Sequence, residues 1–312
     1  MIKSLRLKNK NNKILLLFSG GLDSLLVAKL FQKNKLKVTG LVFTSPFFDS
    51  QKAEKWAKKI NLPLKIVDIS QEFIEILKKP KFGYGQGMNP CLDCKILMLK
   101  KAKEILEKEN YHFLATGEVL GQRPFSQNYQ NLQLTAKKAK VEKILLRPLS
   151  GKILQKERAK ETPFKDIFLS LQGKSRKKQI LLAKKFKIKN WPSPSGGCLL
   201  TQPEFSLKVK KLLSYLKKPE KEDFLLLKTG RHFFEKNLWI VVGRNQEENS
   251  ILEKIKKPKG IIAKPKFKGP TVFFPHQKKV NLKIKKLTKK FLSRYSKKKK
   301  VEEEEIEFII NE

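Results

Sequence analysis

Short apolar runs alternate with longer amphipathic segments through the first half of the chain. The runs are dominated by apolar residues, which is typical of strands buried on both faces of a sheet. They occupy residues 14–18, 37–44, 64–69, 111–116 and 143–149. Between them, apolar residues recur at helical spacing in residues 25–30, 51–60, 72–79 and 95–109. Strands that alternate with helices predict parallel β–α units, so we expect an α/β fold with a doubly wound parallel sheet.

The first apolar run leads directly into a glycine turn with the sequence SGGLDS. Gly20 and Gly21 allow backbone N–H groups to approach an anion, and the start of the following helix adds a partial positive charge. The hydroxyls of Ser19 and Ser24 can donate to phosphate oxygens, and Asp23 can hold Mg²⁺. The turn therefore predicts a phosphate site, with an ordinary β–α turn capped by serine or aspartate as the alternative.

The composition points to a polyanionic partner. The chain of 312 residues carries 70 Lys and Arg against 29 Asp and Glu, a net charge of +41. Nucleic acid is the expected partner of such a field, and a lysine-rich genome or a hot habitat is the alternative source of the lysines. No apolar run approaches the length of a transmembrane helix, and the N-terminus lacks the apolar core of a signal peptide. We therefore expect a cytoplasmic protein without a membrane partner.

Three cysteines carry the candidate sulfur chemistry. Cys91 and Cys94 form a C-x-x-C pair at the start of a predicted helix, after the glycine-rich residues 81–90, and Cys198 follows two glycines. A redox or persulfide pair at a helix N-terminus benefits from a lowered thiolate pKa, and a metal or iron–sulfur cluster uses the same spacing. Zinc would want a fourth ligand, and no histidine has a spacing that supplies one. Small buried cysteines are the third interpretation.

The glycine turn resembles the SGGxDS loop of the PP-loop ATP pyrophosphatases, which split ATP into AMP and pyrophosphate. A second loop, ATGEVLGQ at residues 115–122, resembles the TGExLGQ segment of the tRNA 4-thiouridine synthetase (ThiI) family. The residues SQ at 126–127, NL at 131–132 and LRPL at 146–149 match that family in the same order. The resemblance implies that ATP adenylates a tRNA uridine, most often the one at position 8, and that sulfur then replaces its oxygen to give 4-thiouridine.

The resemblance and the predicted strand ends together indicate the residues of an active site. The expected ATP-binding residues are Ser19, Gly20, Gly21, Asp23, Ser24, Phe43, Thr44, Gly117 and Gln122. The expected catalytic residues are Cys91, Cys94, Cys198, Asp23 and Lys152. The three cysteines are similar to those of thiolases that hold a 4Fe–4S cluster whose fourth iron is open to hydrosulfide. The alternative is a persulfide mechanism through Cys94 and Cys198, because the NPCxxC motif is similar to that of the tRNA 2-thiouridylases.

The second loop also suits this chemistry when it is considered without the family. Glu118 and Gln122 offer an acceptor and an amide for a base edge or a ribose, and Arg123 can pair with phosphate. Lys152 and Arg147, near the end of the last predicted strand, can offset phosphate charge. A polar loop with a capping serine is the alternative interpretation of this stretch.

The chain departs from the ThiI family in the part that docks tRNA. We expect no THUMP region before the glycine turn and no rhodanese domain at the C-terminus, so another segment should bind tRNA. LKTGRHF at residues 227–233 and IVVGRN at 240–245 resemble the NFACT-type RNA-binding module. Aromatic residues there either stack on bases or pack a small core; they are Phe233, Phe234 and Trp239. The candidate RNA-binding residues are Arg123, Lys228, Arg231 and Arg244.

We therefore expect a PP-loop catalytic domain at residues 1–200, an NFACT-like domain at 201–285 and a charged tail at 286–312. Residues 224–228 are a predicted strand of the second domain, and the tail is either disordered or an added edge strand. The rival functions are a tRNA 2-thiouridylase that uses a persulfide, an amide-forming or lysidine-type ligase, and a non-catalytic RNA-binding factor with a vestigial ATP loop. The sequence leaves open the sulfur donor, which is free sulfide or a cysteine desulfurase, and the formation of a homodimer.

Overall fold

The computed structural model describes residues 12–154, 164–191, 197–235 and 237–311. Gly196, one of the two glycines before Cys198, and almost all of the N-terminal arm lie outside these residues. The chain divides into two compact units, Met1–Thr201 and Gln202–Glu312. In the described part of the chain, no helix combines the length and the apolar character needed to cross a membrane.

The first unit is built on a five-stranded parallel sheet. Its strands are β1 (Lys13–Leu17), β2 (Lys37–Thr44), β3 (Leu64–Asp68), β4 (Phe113–Thr116) and β5 (Leu145–Leu146). Its helices are α1 (Leu22–Lys33), α2 (Gln51–Lys59), α3 (Ser70–Lys78), α4 (Cys91–Lys108), α5 (Tyr129–Ala139), α6 (Gly151–Leu154) and α7 (Lys177–Lys185). The strand order is β3-β2-β1-β4-β5, and every neighbouring pair is parallel. The predicted α/β fold is confirmed.

The central strand β1 shows why the sheet is covered on both faces. Successive residues of a strand point to opposite faces; Ile14 and Leu16 pack in a core with α1, α2 and α7, whereas Leu15 packs with α4 and α5. The strand order reverses between β1 and β4, and ligands of such sheets bind in the crevice outside the strand ends at this point. Leu17 pairs in register with Thr116, so the loops that follow the two strands start side by side.

The second unit is an antiparallel sheet packed against helices. Its strands are β6 (Arg231–Glu235), β7 (Leu238–Val242), β8 (Gly260–Pro265), β9 (Val272–Pro275) and β10 (Ile306–Asn311), in the order β10-β8-β9-β7-β6. Its helices are α8 (Pro203–Tyr215), α9 (Lys221–Leu226), α10 (Gln246–Glu253) and α11 (Leu282–Tyr295). Every residue of β7 is buried, and α11 packs on the sheet through Ile284 and Phe291.

Two segments of this unit differ from the expectation. Residues 224–228 are the end of α9 and a turn instead of a strand, because Glu220 and Asp223 form a capping box that starts a helix. The charged residues 286–312 are not a detached tail, since their first part belongs to α11. Strand β10 pairs antiparallel with β8, so the end of the chain is the edge strand of the two alternatives.

Candidate active site

The glycine turn between β1 and α1 has the geometry of an anion site. Gly20 has a φ of +68°, and a Cβ there would lie 2.5 Å from the carbonyl oxygen of Lys52, so glycine is required on both counts. Gly21 is the N-cap of α1 and offers no side chain to the N–H groups of the first turn. The Ser24 hydroxyl donates to the Gly21 carbonyl oxygen at 2.9 Å, which holds the turn closed. Such a helix start binds anions through its backbone.

The second loop packs directly on this turn. A Cβ at Gly117 would lie 2.7 Å from the backbone nitrogen of Ser24 and 2.8 Å from the carbonyl carbon of Asp23. Gln122 Nε2 then donates to Asp23 Oδ2 at 2.8 Å. The two motifs, which lie far apart in the sequence, therefore form one surface at the carboxyl ends of β1 and β4.

Asp23 has one satisfied and one unsatisfied carboxylate oxygen. Oδ2 accepts from Gln122 and lies 3.6 Å from Arg176 Nη2. Oδ1 is buried and has no hydrogen-bond partner within the described ranges. Burial raises the pKa of Asp23 above its ordinary value, against smaller opposing effects of Gln122, Arg176 and Arg123. A buried oxygen without a partner fits a Mg²⁺ ligand, because that ion takes oxygen donors.

Glu118 and Arg147 have structural roles, contrary to their predicted contacts with base and phosphate. Both side chains are buried, and Arg147 Nε donates to Glu118 Oε2 at 2.9 Å while its Nη2 donates to the Leu132 carbonyl oxygen. Burial alone would raise the pKa of Glu118, but Lys95, Arg147 and a hydrogen bond from Thr116 lower it to about 2. The pair fixes the second loop from inside and is not available to a ligand.

The helix α4 begins at Cys91, which places Cys91 and Cys94 in its first turn. The Asn89 side chain donates to Cys91 Sγ at 3.0 Å and accepts from the Gly87 N–H at 2.9 Å. Asp93, between the cysteines, accepts from the backbone N–H groups of residues 81 and 82. The glycine-rich loop is thus held against the start of α4 by the residues of the motif itself.

Cys198 lies near this pair. The backbone N–H of Leu199 donates to the carbonyl oxygen of Phe47, just beyond β2. Burial raises the pKa of the Cys94 thiol well above its ordinary value, and the nearby Cys198 thiol adds a smaller increase. Burial raises the pKa of Cys198 to about 11, with Cys91 adding to it and a hydrogen bond from Leu200 opposing it. The lowered thiolate pKa expected at the helix start is therefore wrong for Cys94, because loss of solvent outweighs the helix terminus.

The three thiols suit a cluster in kind and in neighbourhood. Cys198 and Cys91 both raise the pKa of the Cys94 thiol, and Cys91 raises that of the Cys198 thiol. Across the residues that the structure describes, however, no three His, Cys, Asp or Glu side chains are arranged to hold a metal ion. Ligation of a cluster would therefore need the thiols to draw closer.

The cysteine region and the phosphate turn share the second loop. Lys95, the residue after Cys94, has its Nζ 3.6 Å from Glu118 Oε1. Glu118 follows Gly117, which rests on Ser24 at the start of α1. One loop thus contacts both the turn that can grip a triphosphate and the helix that carries two sulfurs.

The remaining predicted residues take no part in the hydrogen bonds described above. Phe43 is buried in the core with α4, and the carbonyl oxygen of Thr44 accepts from the Ile69 N–H at 3.0 Å. Lys152 is exposed, and its backbone N–H donates to the Leu169 carbonyl oxygen. The site residues that the sequence analysis did not single out are Asn89, Lys95, Arg176 and Gln179. Asn89 stands inside the NPCxxC segment and could have been singled out there; the other three carry no local signal.

The second unit holds two of its candidate RNA-binding arginines in contacts of its own. Arg231 lies over the Tyr295 ring, 4.8 Å from its centroid, which leaves the edge of the guanidinium open to further donation. Arg244 binds Glu248 through Nε at 2.9 Å and through Nη2. Lys228 is exposed just before β6. Arg244 is therefore neutralised by its neighbour, whereas Arg231 has no acidic partner among the residues that the structure describes.

The aromatic residues around β6 and β7 form a core. Trp239 is fully buried and stacks on Phe234 with ring centroids 5.8 Å apart, so it cannot stack on a base. Its Nε1 donates to His232 Nδ1 at 3.1 Å. Burial, followed by the charge of Lys208, lowers the pKa of His232 to about 3. His232 is thus a neutral structural histidine.

Comparison with known families agrees with this division of the chain. Residues 9–163 match the model of the thiamine biosynthesis protein (ThiI) family, and residues 230–312 match the NFACT protein RNA binding domain. We refer to residues 9–163 as the ThiI domain, after the family model that they match. This ThiI domain contains β1 to β5, the phosphate turn, the second loop and the C-x-x-C helix; Cys198 and α7 lie beyond the matched segment.

Relatives of the ThiI domain include two kinds of tRNA-modifying protein. The probable tRNA sulfurtransferase of Thermoanaerobacter sp. (strain X514) is 30% identical over 152 residues, covering 45% of this chain and 37% of the relative. The tRNA-specific 2-thiouridylase MnmA of Syntrophotalea carbinolica is 29% identical over 125 residues, covering 36% of each chain. The chain therefore spans little more than a third of the length of these curated relatives.

Solved structures similar to this chain include a 4-thiouridine synthetase–RNA complex with bound ATP. It has a TM-score of 0.36 and 18% identity, and the match covers 57% of this chain and 52% of that one. The NMN synthetase of Francisella tularensis has a TM-score of 0.39 and 16% identity, over 70% of this chain and 84% of that one.

Proposed function

We propose that this protein is an ATP-dependent tRNA sulfurtransferase that adenylates a uridine and replaces its carbonyl oxygen with sulfur. The observation that carries the proposal is the second loop, which rests on the phosphate turn through Gly117 and reaches the cysteine helix through Glu118 and Lys95. The NFACT-type domain supplies a surface for tRNA. A cytoplasmic location follows from this substrate.

The chain's residues act on ATP as follows. Backbone N–H groups at Gly20 and Gly21 hold the triphosphate. Asp23 Oδ1, which has no hydrogen-bond partner in the described residues, would hold Mg²⁺ beside it. The uridine carbonyl oxygen attacks the α-phosphorus, pyrophosphate leaves, and the oxygen becomes part of AMP. Sulfur then bonds to the ring carbon, and AMP departs with that oxygen and with the electron pair of the broken carbon–oxygen bond. Phe43 and Thr44 at the end of β2 are the proposed adenine contacts, and Lys152 offsets phosphate charge.

The product we favour is 4-thiouridine, because the ThiI domain carries both the phosphate turn and the second loop of that family. A 4Fe–4S cluster held by Cys91, Cys94 and Cys198 would supply an iron site that accepts hydrosulfide. The second candidate is a 2-thiouridylase that uses a persulfide on Cys94 or Cys198, favoured by the identity to a 2-thiouridylase and by the NPCxxC segment.

Nucleosides from tRNA treated with the protein and ATP decide between the two products, in parallel reactions that supply the sulfur either as sulfide or through a cysteine desulfurase with cysteine. We expect a species that co-elutes with a 4-thiouridine standard; one that co-elutes with 2-thiouridine would establish the second candidate instead. Pyrophosphate release should depend on tRNA and should be lost in Asp23→Asn, whereas the exposed Asp49→Asn serves as the control. Absence of release from the unaltered protein would leave an RNA-binding factor with a vestigial turn.

The sulfur route is tested by anaerobic purification. We expect a brown protein with roughly four irons per chain, and loss of most of that iron in each of Cys91→Ser, Cys94→Ser and Cys198→Ser. A colourless protein in which Cys94 and Cys198 form a disulfide on turnover, and in which Cys91→Ser keeps its activity, would overturn the cluster in favour of the persulfide.

A further inference from the structure

Helix α7 lies beyond the matched ThiI segment, and one of its side chains is placed unusually. The helix carries four Lys residues, yet Gln179 among them is only 1% exposed. Its Nε2 donates to Gln122 Oε1 at 2.8 Å, across 57 residues of sequence. Burying an amide costs free energy unless its polar atoms are hydrogen-bonded, so the bond to Gln122 offsets the burial of Gln179.

The contact fixes the orientation of the Gln122 amide. An amide presents its oxygen and its NH₂ group in different directions, and Gln122 accepts from Gln179 on one side while it donates to Asp23 Oδ2 on the other. A carboxylate only accepts hydrogen bonds. The reverse orientation of the amide would therefore set two oxygens against each other, and the three side chains form a relay with a single polarity.

Arg176, at the start of the same helix, approaches the same oxygen. Its Nη2 lies 3.6 Å from Asp23 Oδ2. Thus α7 and the second loop together occupy Oδ2, and the buried Oδ1 keeps no hydrogen-bond partner in the described residues. The arrangement divides the carboxylate into one held oxygen and one open oxygen.

We propose that Gln179 is a positioning residue that holds Gln122, and through it Asp23, so that Asp23 presents Oδ1 to the magnesium nucleotide. The active site thereby includes α7 in addition to the two motif loops. The inference rests on the proposed use of ATP. It assigns no chemical step to Gln179, which acts only through Gln122.

The test compares two substitutions with a matched control. Gln179→Glu places an acceptor against Gln122 Oε1 and forces the amide to turn, whereas Gln179→Met keeps the volume and only removes the donor. Gln133→Glu, on the exposed face of α5, makes the same chemical change without a buried partner. The readout is the Kd of ATP, measured with Mg²⁺ and again in excess EDTA, on the full chain.

We expect Gln179→Glu to raise the Kd of ATP about tenfold in Mg²⁺ and to leave the Kd in EDTA within about twofold, since only the open oxygen is misplaced. Gln179→Met should show a smaller rise, and Gln133→Glu none. Equal rises with and without Mg²⁺, or a fall in thermal stability with both Kd values unchanged, would overturn the relay. An unaltered protein that binds ATP with Mg²⁺ but modifies no tRNA would contradict the proposed function and leave the relay standing.

Discussion

The polar motif residues compared here differ between the two units in how far away in the sequence their hydrogen-bond partners lie. In both units, a sequence motif predicted a ligand-binding site. In the ThiI domain, the charged and amide groups of the motifs bond to residues far away in the sequence, such as Gln122 to Asp23 and Glu118 to Arg147. In the C-terminal unit, Arg244 bonds to Glu248 one helical turn away. Long-range contacts fix a site in place, whereas a local pair with one half-exposed member leaves its surface adaptable. A motif therefore indicates a precise site only where its contacts are long-range.

The largest effect should come from breaking the buried pair of the ThiI domain. Arg147→Met leaves Glu118 buried beside only Thr116 and the more distant Lys95, and we expect the free energy of unfolding to fall by about 3 kcal/mol. Arg244→Met removes the half-exposed partner of Glu248, which keeps the hydrogen bond from the backbone N–H of residue 244, and should reduce it by about 1 kcal/mol at most. Urea unfolding of both variants at pH 7 measures the contrast, and equal losses would contradict it.

The pH dependence of the Arg147→Met deficit provides a second check. The folded-state pKa of Glu118 lies near 2, below its ordinary value of 4.5. The unfolded chain therefore takes up this proton first as the pH falls, so the pair's contribution is complete above about pH 4.5 and fades toward pH 2. The deficit of Arg147→Met should shrink over that interval. A deficit that does not change with pH would assign the loss to packing.

The next effect concerns two glycines of similar φ in different loops, Gly20 in the phosphate turn and Gly83 in the glycine-rich residues before the C-x-x-C helix. Gly20 (φ +68°) has a backbone oxygen 2.5 Å from a Cβ position, whereas Gly83 (φ +73°) has nothing within 4 Å. Gly20→Ala should shift the turn and reduce tRNA-dependent pyrophosphate release by about 100-fold. Gly83→Ala carries only the left-handed strain of roughly 1 kcal/mol and should reduce release by less than tenfold. Similar losses in both would show that strain alone matters.

The fold of the ThiI domain and the place of its two loops could be predicted because both follow from local patterns. Buried runs such as 14–18 indicate parallel strands, and parallel strands bring the loops after β1 and β4 to one edge. The partners of Glu118 and Gln122 could not be predicted in this way. Each is chosen by tertiary packing, and residues such as Gln179 stand in a lysine-rich segment without any motif.

The pKa of the Cys94 thiol could not be predicted from the sequence for the same reason. A helix start is visible in the sequence after Pro90 and predicts a lowered thiol pKa, but the solvent exposure of Cys94 is decided by distant residues. The end of the chain is a similar case. Residues 306–310 have strand character, yet only the presence of the unpaired edge of β8 decides between a tail and a strand.

The third prediction concerns His232 in the C-terminal unit. Its folded-state pKa of about 3 lies below the ordinary value of 6.5. Below pH 6.5 the unfolded state binds a proton that the folded state does not. The free energy of unfolding should therefore decrease by at most about 1.4 kcal/mol for each unit by which the pH is lowered. Hydrogen exchange of the β7 amides between pH 6.5 and 5 measures this slope. It should flatten in His232→Gln, which keeps an acceptor for Trp239, and persist in the control His112→Gln.

The smallest effect tests the adaptable surface itself. Arg231 keeps donors beside Tyr295, so Arg231→Met should weaken tRNA binding severalfold and reduce the slope of log affinity against log salt by about one phosphate contact. The double variant Arg244→Met/Glu248→Gln replaces one neutral pair by another and should change neither quantity, because Arg244 already donates to Glu248. If the double variant lowers the slope as much as Arg231→Met does, Arg244 leaves its neighbour for the RNA. The Arg244–Glu248 pair would then form only in the absence of RNA, unlike the buried contacts of the ThiI domain, which we expect to persist when ligands bind.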